Sequence, residues 1–141
     1  MSTNVIAHDP GLLAAGAIIT RMERVNLAEK LATFTDHWHP RVVAELNGQH
    51  VKVVKLLGEF TWHHHEVEDE LFLVVSGQLR MEFRDRVVVL QPGELIVVPH
   101  GVEHRPVAER ECEVVLFEPA STVNTGNASE DARTRRVLER I

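Results

Sequence analysis

Cysteine is nearly absent from this 141-residue chain: Cys112 stands alone, so neither an intrachain disulfide nor a Cys-x-x-Cys thiolate pair can form. That excludes a disulfide-stapled scaffold and a cysteine zinc site, and a cytoplasmic setting is the expectation. Tyrosine is missing, aromatic residues make up 5%, and 15 basic residues against 21 acidic ones give a net charge of −6. A basic, aromatic-rich surface that tracks phosphates is therefore lacking, and no nucleic-acid partner is expected. Long apolar runs are also scarce. The longest near the start, Gly11 to Ile19, has nine residues, whereas a bilayer span takes about 20. No membrane partner is expected. With Asp9 the only charge among the first twenty residues, that run also lacks the basic flank of a secretory leader. Gly11 and Gly16 have the spacing of a phosphate loop, but Ala17 and Ile18 stand where lysine and a hydroxyl are required. Nor is there a Gly-x-Ser-x-Gly elbow for a serine nucleophile.

What is there is the composition of one soluble domain, 44% hydrophobic and 26% charged. Residues 1–21 are small, apolar and almost uncharged, and read as an N-terminal extension. Leu27, Leu31 and Phe34 recur at helical spacing behind Asn26, a capping residue with Glu29 three positions on, which predicts a short helix over Asn26 to Phe34. After Pro40 short β-branched and aromatic runs predict strands over 42–46, 51–57, 60–65, 71–75, 79–83, 87–90, 95–98, 104–108 and 112–117. Turn residues separate them, among them Asn47-Gly48, Ser76-Gly77, Pro92-Gly93 and Glu109-Arg110-Glu111. Strands every eight to twelve residues with no helical pattern between them argue an all-β antiparallel sandwich or barrel. Beyond residue 126 the arginines Arg133, Arg135, Arg136 and Arg140 read as a solvated tail, 127–141, with Val137, Leu138 and Ile141 available for a last helical turn.

Nine histidines are the feature to explain, and they are unevenly placed. Residues 63 to 70 read His-His-His-Glu-Val-Glu-Asp-Glu, seven possible ligands in eight positions. Side chains alternate along extended chain, so His63 and His65 share one face while Trp62 and His64 take the other. An i, i+2 histidine pair is a preformed bidentate clamp. Glu70 has the wrong parity to continue that strand, so the acidic stretch must turn the chain and let Glu70 open the next strand beside the clamp. His104, at the start of a later apolar strand, supplies a fourth donor once a barrel closes. Three imidazoles and a carboxylate suit one first-row divalent ion, and leave about two octahedral positions open for substrate or dioxygen. Which ion among iron, manganese, nickel, cobalt and zinc is not set by this donor set.

The spacing of these residues resembles the cupin family. Gly58, four residues, His63-x-His65, four residues, Glu70, six residues and Gly77 are similar to the first cupin motif. Gly93, five residues, Pro99-x-Gly101, two residues and His104 are similar to the second, and fifteen residues lie between the two motifs, as in small microbial cupins. The gap before His63 is one residue shorter than usual, and Ala108 replaces the asparagine that often ends the second motif. The resemblance covers Lys52 to Phe117 strongly, in the neighbourhood described as like mannose-6-phosphate isomerase. It implies a double-stranded β-helix, a jelly-roll barrel over 22–126, with a metal held by His63, His65, Glu70 and His104, and commonly a homodimer. Fold does not by itself name a reaction. The function expected is a metal-dependent enzyme of dioxygenase or isomerase/lyase type acting on a small oxygen-rich substrate; the alternative is a non-catalytic cupin that binds a sugar-like ligand or senses metal. No general acid or base is identified beyond the ligands.

The remaining candidates divide by position. His64 points away from the clamp, His100 lies in a Pro/Gly turn, and His37 and His39 flank Trp38 at a packing or rim position. Phe72, Val74, Met81, Phe83 and Val98 read as barrel filling, with Phe72 and Met81 the options for lining a pocket. Glu45 and Lys52 interrupt apolar strands, so one of them is a candidate interior acid, base or anion anchor. Cys112 reads as a small buried hydrophobe.

Overall fold

The structure, a computed structural model, describes residues 22–141, and the expected extension over 1–21 lies outside the described residues. The elements run α1 (Leu27–Leu31), β1 (Arg41–Leu46), β2 (Gln49–Glu59), β3 (Glu70–Ser76), β4 (Leu79–Phe83), β5 (Val87–Leu90), β6 (Leu95–Val98) and β7 (His104–Pro119). Asn26 caps α1 as expected, its Oδ1 accepting the Glu29 backbone N–H at 3.0 Å. The helix is shorter than expected because Lys30 O takes both the N–H and the hydroxyl of Thr33, which closes the last turn early. Five residues are too few to hold a helix unaided. Leu31, with Phe34 just beyond, holds it in place by packing on Val53 and Val115.

All strand pairs are antiparallel, in the order β1-β2-β7-β3-β6, with β4 joined to β7 and β5 to β4. β7 ties the two halves together: its Glu113–Phe117 stretch pairs with β3, and His104–Val107 pairs with β4. The all-β architecture is the expected one. Two local expectations are corrected. Glu109-Arg110-Glu111 is not a turn between two strands but an exposed bulge inside β7, because β2 stays paired on both sides, at Leu56↔Cys112 and at Gly58↔Ala108. Residues 60–65 do not form a ladder strand. Phe60 N–H reaches Pro106 O at 3.0 Å, but Pro106 has no N–H to return, and the register slips before the isolated bridge His63↔His104.

Alternation along the strands separates two cores. Val54, Leu56, Phe72, Val74, Met81, Val114 and Leu116 fill the barrel interior, whereas Val53 and Val115 face outward beneath α1. Each large side chain so buried contributes about 1.5–3 kcal/mol. At the β3–β4 connection Gly77 has φ +82°, and a Cβ there would lie 2.7 Å from Glu111 O, so only glycine fits. Cys112 is buried in the interior core as expected, and burial, aided by the Glu113 charge, pushes its thiol up to about 11. The native protein is therefore expected to resist a thiol-specific disulfide reagent at pH 8 and to react with one equivalent after denaturation; rapid native labelling would contradict the packing.

The tail departs from the expected helical turn. Val42 N–H bonds to Glu139 O at 2.9 Å and Ile141 N–H to Val42 O at 3.1 Å, so the last residues lie alongside β1 in a parallel bridge. Ile141 packs on the outer core, while Val137 is exposed. Its arginines are engaged as well: Arg133 stacks over the Phe60 ring at 4.7 Å and donates to Glu59 O, and Arg136 pairs with Glu130.

Candidate metal centre

Glu70 is the first residue of β3 and His104 the first of β7, so two strand starts converge with the segment carrying His63 and His65. The bridge between His63 and His104, with N–H···O distances of 3.1 and 2.9 Å, locks that segment to β7. Gly101 N–H donates to His65 O at 2.7 Å, and Asp69 accepts both the backbone N–H and the ring of His100 at 2.8 Å. The acidic turn and the Pro99–Gly101 turn thereby brace each other, which sets Glu70 beside the clamp.

All four side chains are buried, and one donor atom from each lies within 4.8 Å of the others. His63 Nδ1 contacts Thr61 O at 2.9 Å and His104 Nδ1 contacts Val102 O at 2.8 Å. A carbonyl accepts only, so in both rings Nδ1 carries the proton and Nε2 is left as a lone-pair donor. His104 Nε2 lies 3.1 Å from Glu70 Oε1. His65 Nε2 is 2.9 Å from the same oxygen but outside hydrogen-bonding geometry, so it is a buried polar atom with no hydrogen-bond partner among the described residues. Such an atom costs about 1–3 kcal/mol unless something coordinates it, as a metal ion would. The donor set of three nitrogens and one oxygen fits a divalent first-row ion.

The charge states agree with that use. Burial, reinforced by the neighbouring His104 ring, pulls His63 down to about 4, which keeps it neutral and able to ligate. One anion among neutral donors leaves a bound dication with net positive charge, which favours oxygen ligands.

Beside the cluster opens a cavity lined by Trp38, Phe60, Phe72 and Leu116, with His63, Glu70, Glu118 and Asn124 as polar wall. Phe72 therefore lines the pocket, whereas Met81 is wholly buried in the interior core. Trp38 reaches the cavity from a left-handed backbone position, φ +60°, its indole N–H donating to Leu57 O at 2.9 Å and its ring stacked on Phe60 at 4.7 Å. His37 instead pairs with Glu111, and His39 with Asp36. His64 turns outward to Glu66, and His100 is exposed, as their positions suggested. Of the two interior candidates, Lys52 is inside. Glu45 is half-exposed towards the end of β1, 3.9 Å from His50.

Sequence reasoning missed Glu118. Its signal was available: Cys112, Val114, Leu116 and Glu118 alternate along β7, and the first three are interior core. Burial, and next the adjacent Glu70 charge, pushes the Glu118 carboxyl well above its usual range.

The C-terminal segment abuts the ligands from behind. His64 N–H donates to Asn127 Oδ1 at 2.7 Å and Asn127 N–H returns a bond to His64 O at 3.0 Å. Gly126, φ +52°, leaves no room for a side chain: a Cβ would overlap His64 O and sit 3.1 Å from the His63 ring. Gly126→Val is expected to destabilise the fold by about 1–3 kcal/mol and to weaken metal affinity, read by a melt and a metal titration; unchanged values in both would contradict this packing.

Comparison with known proteins agrees with the geometry. The Cupin domain family matches residues 51–118. The uncharacterized protein YdbB of Bacillus subtilis is 32% identical over 87 residues, which are 54% of this chain and 77% of that protein. A cupin-2 domain containing protein from Shewanella frigidimarina shares 47% identity and a TM-score of 0.67, covering 67% of this chain and 93% of that one. The chain belongs to the cupin family, and its barrel is a double-stranded β-helix of that class. It is also similar to the acireductone dioxygenase of Bacillus licheniformis, 35% identical over 78 residues, which are 52% of this chain and only 44% of that enzyme.

Proposed function

We propose that this cupin is a mononuclear metal-dependent enzyme that holds one divalent transition ion through His63, His65, Glu70 and His104 and acts on a small oxygen-rich substrate. The observation that carries the reading is the convergence of four buried donors, one of them, His65 Nε2, without a hydrogen-bond partner among the described residues, beside an apolar cavity. When bound, the ion supplies Lewis acidity and open coordination positions for substrate or dioxygen. The protein's own residues do the rest. Carbonyls of Thr61 and Val102 hold two imidazoles in the ligating tautomer, as supporting groups do in metal sites generally. Trp38, Phe60 and Phe72 keep bulk water from the bound ligand. Similarity to acireductone dioxygenase supports the oxidative arm; an isomerase or lyase arm is served by the same donors with manganese, nickel, cobalt or zinc.

We carry the barrel as residues 22–126 with a tail at 127–141, tied on by the Asn127 and Ile141 contacts. A homodimer is supported by Val87, Val89, Leu95 and Val97, exposed apolar residues on the outer strands β5 and β6. A cytoplasmic setting is proposed from the sequence alone, whose cysteine-poor composition suits it. The functional test loads the protein separately with iron, manganese, nickel, cobalt and zinc and follows oxygen consumption and turnover of diketones and sugar phosphates. Turnover in at least one metal form supports an enzyme. Tight ligand binding with no turnover in any form overturns it in favour of a ligand-binding or metal-sensing cupin.

A further inference from the structure

The cavity beside the cluster measures about 40 Å³, room for a few waters, whereas sites that take organic ligands usually span about 300–1,000 Å³. A substrate therefore enters only if a wall withdraws. Val54, Leu56, Phe72 and Leu116 are fixed by the ladders of β2, β3 and β7. Trp38 is placed differently. It stands in the connection between α1 and β1 at φ +60°, a left-handed position that bulky residues rarely hold and that recurs in switch segments and ligand clamps. Its ring stacks on Phe60, and Phe60 in turn meets the His63 ring edge-on at 5.3 Å, so the indole closes the cavity with one ring between it and a metal ligand.

The β7 bulge builds the seat for this indole. β2 pairs through Leu56↔Cys112 and Gly58↔Ala108, so Leu57 is passed over in the register, and its carbonyl takes the indole N–H at 2.9 Å. The residues looped out of β7 bring Glu111 within reach of His37, whose Nε2 donates to Glu111 Oε1 at 2.9 Å. The Trp38 backbone N–H completes the hold on Lys55 O at 2.9 Å. The His37 and Glu111 side chains are 30% and 49% exposed, and an ion pair so placed holds weakly and releases readily. We propose that Trp38 is the gate to the metal centre and that His37 and Glu111 are its latch, positioning residues that act through Trp38. The inference rests on the metal reading of the cluster, and adds how a ligand reaches that site.

The chain has two tryptophans and no tyrosine, so in Trp62→Phe, which keeps a ring beneath Arg84, all tryptophan emission comes from Trp38. In that full-length background without metal, Glu111→Ala and His37→Ala are expected to raise acrylamide quenching of Trp38, and the double variant to add nothing to either. Glu111→Gln, which keeps an acceptor for His37, is expected to restore the parent value. The second reading uses the chain loaded with cobalt(II), whose visible absorption reports ligand entry, with azide as the small probe and 4-phenylimidazole as the large one. In the wild type the azide rate is expected to rise in proportion to concentration, and the 4-phenylimidazole rate to level off where opening becomes limiting. Glu111→Ala raises that ceiling by about two- to fivefold and leaves azide unchanged. Trp38→Gly, which suits the left-handed backbone, removes the ceiling. Unchanged quenching in the latch variants overturns the proposal. So does a wild-type 4-phenylimidazole rate that never levels off, a ceiling unmoved in Trp38→Gly, no entry of that probe into either protein, or equal acceleration of both probes. Should Trp38→Gly not fold, Glu111→Ala on the exposed bulge decides by the same comparison. Absence of cobalt from the wild type is the separate failure of the metal reading, and the quenching series without metal then decides the gate.

Discussion

Lys52→Met is expected to lower the unfolding free energy by about 1–3 kcal/mol, because it leaves the buried Glu118 carboxyl without the hydrogen bond that Lys52 donates. The partner change is what makes this diagnostic. In Lys52→Met/Glu118→Leu both polar groups are gone, the space is filled by apolar atoms among Val54, Leu116 and their neighbours, and most of the loss is expected to be recovered. Urea melts of the four members of the cycle measure it. The effect belongs to the unpaired buried carboxyl, so a single variant that loses less than about 1 kcal/mol would mean that the pair is solvated or loosely held. Equal losses in the single and double variants would mean that shape, and not charge, is what the barrel requires there.

A second large effect is expected from metal itself. An ion that binds only the folded chain stabilises it by about 2.7 kcal/mol when free metal is one hundred times its Kd. For a domain near this size that raises the Tm by roughly 10 °C. The source of the gain is local: the four donors are already buried and converged, so coordination satisfies His65 Nε2 and offsets the mutual crowding of polar groups that the apo fold carries. A thermal scan with and without cobalt or manganese reads the shift, and a chelator reverses it. His65→Ala/Glu70→Ala is expected to show no shift at any metal concentration. A wild-type Tm indifferent to every divalent ion would remove the thermodynamic basis of the account.

The parts of this site that were legible beforehand are those where residue spacing and strand alternation point the same way. His63 and His65 are buried and His64 faces out because successive side chains in extended chain alternate, and this holds even though residues 60–65 are not a ladder strand. Glu70 opens β3, as parity required. The broken strand itself was not legible, since its cause lies in the partner: Pro106, far away in sequence, has no N–H to donate. The same holds for Glu109-Arg110-Glu111, whose charges read as a turn but which bulge out of a strand that β2 holds on both sides. Trp38 enters the cavity through a left-handed backbone, which no sequence pattern announced. Glu118 could have been found by extending the alternation of Cys112, Val114 and Leu116 by one more step. Lys52 was flagged together with Glu45, and the structure buries the first while leaving the second half-exposed towards the end of β1.

The most direct test of the central claim is elemental analysis of protein purified without chelators and then saturated with one divalent ion. Wild-type chain is predicted to retain one ion per chain after gel filtration, and His65→Ala/Glu70→Ala, with its barrel intact by circular dichroism, to retain none. Undiminished metal in the folded double variant, or none in the wild type, would contradict the assignment of His63, His65, Glu70 and His104 as the metal centre.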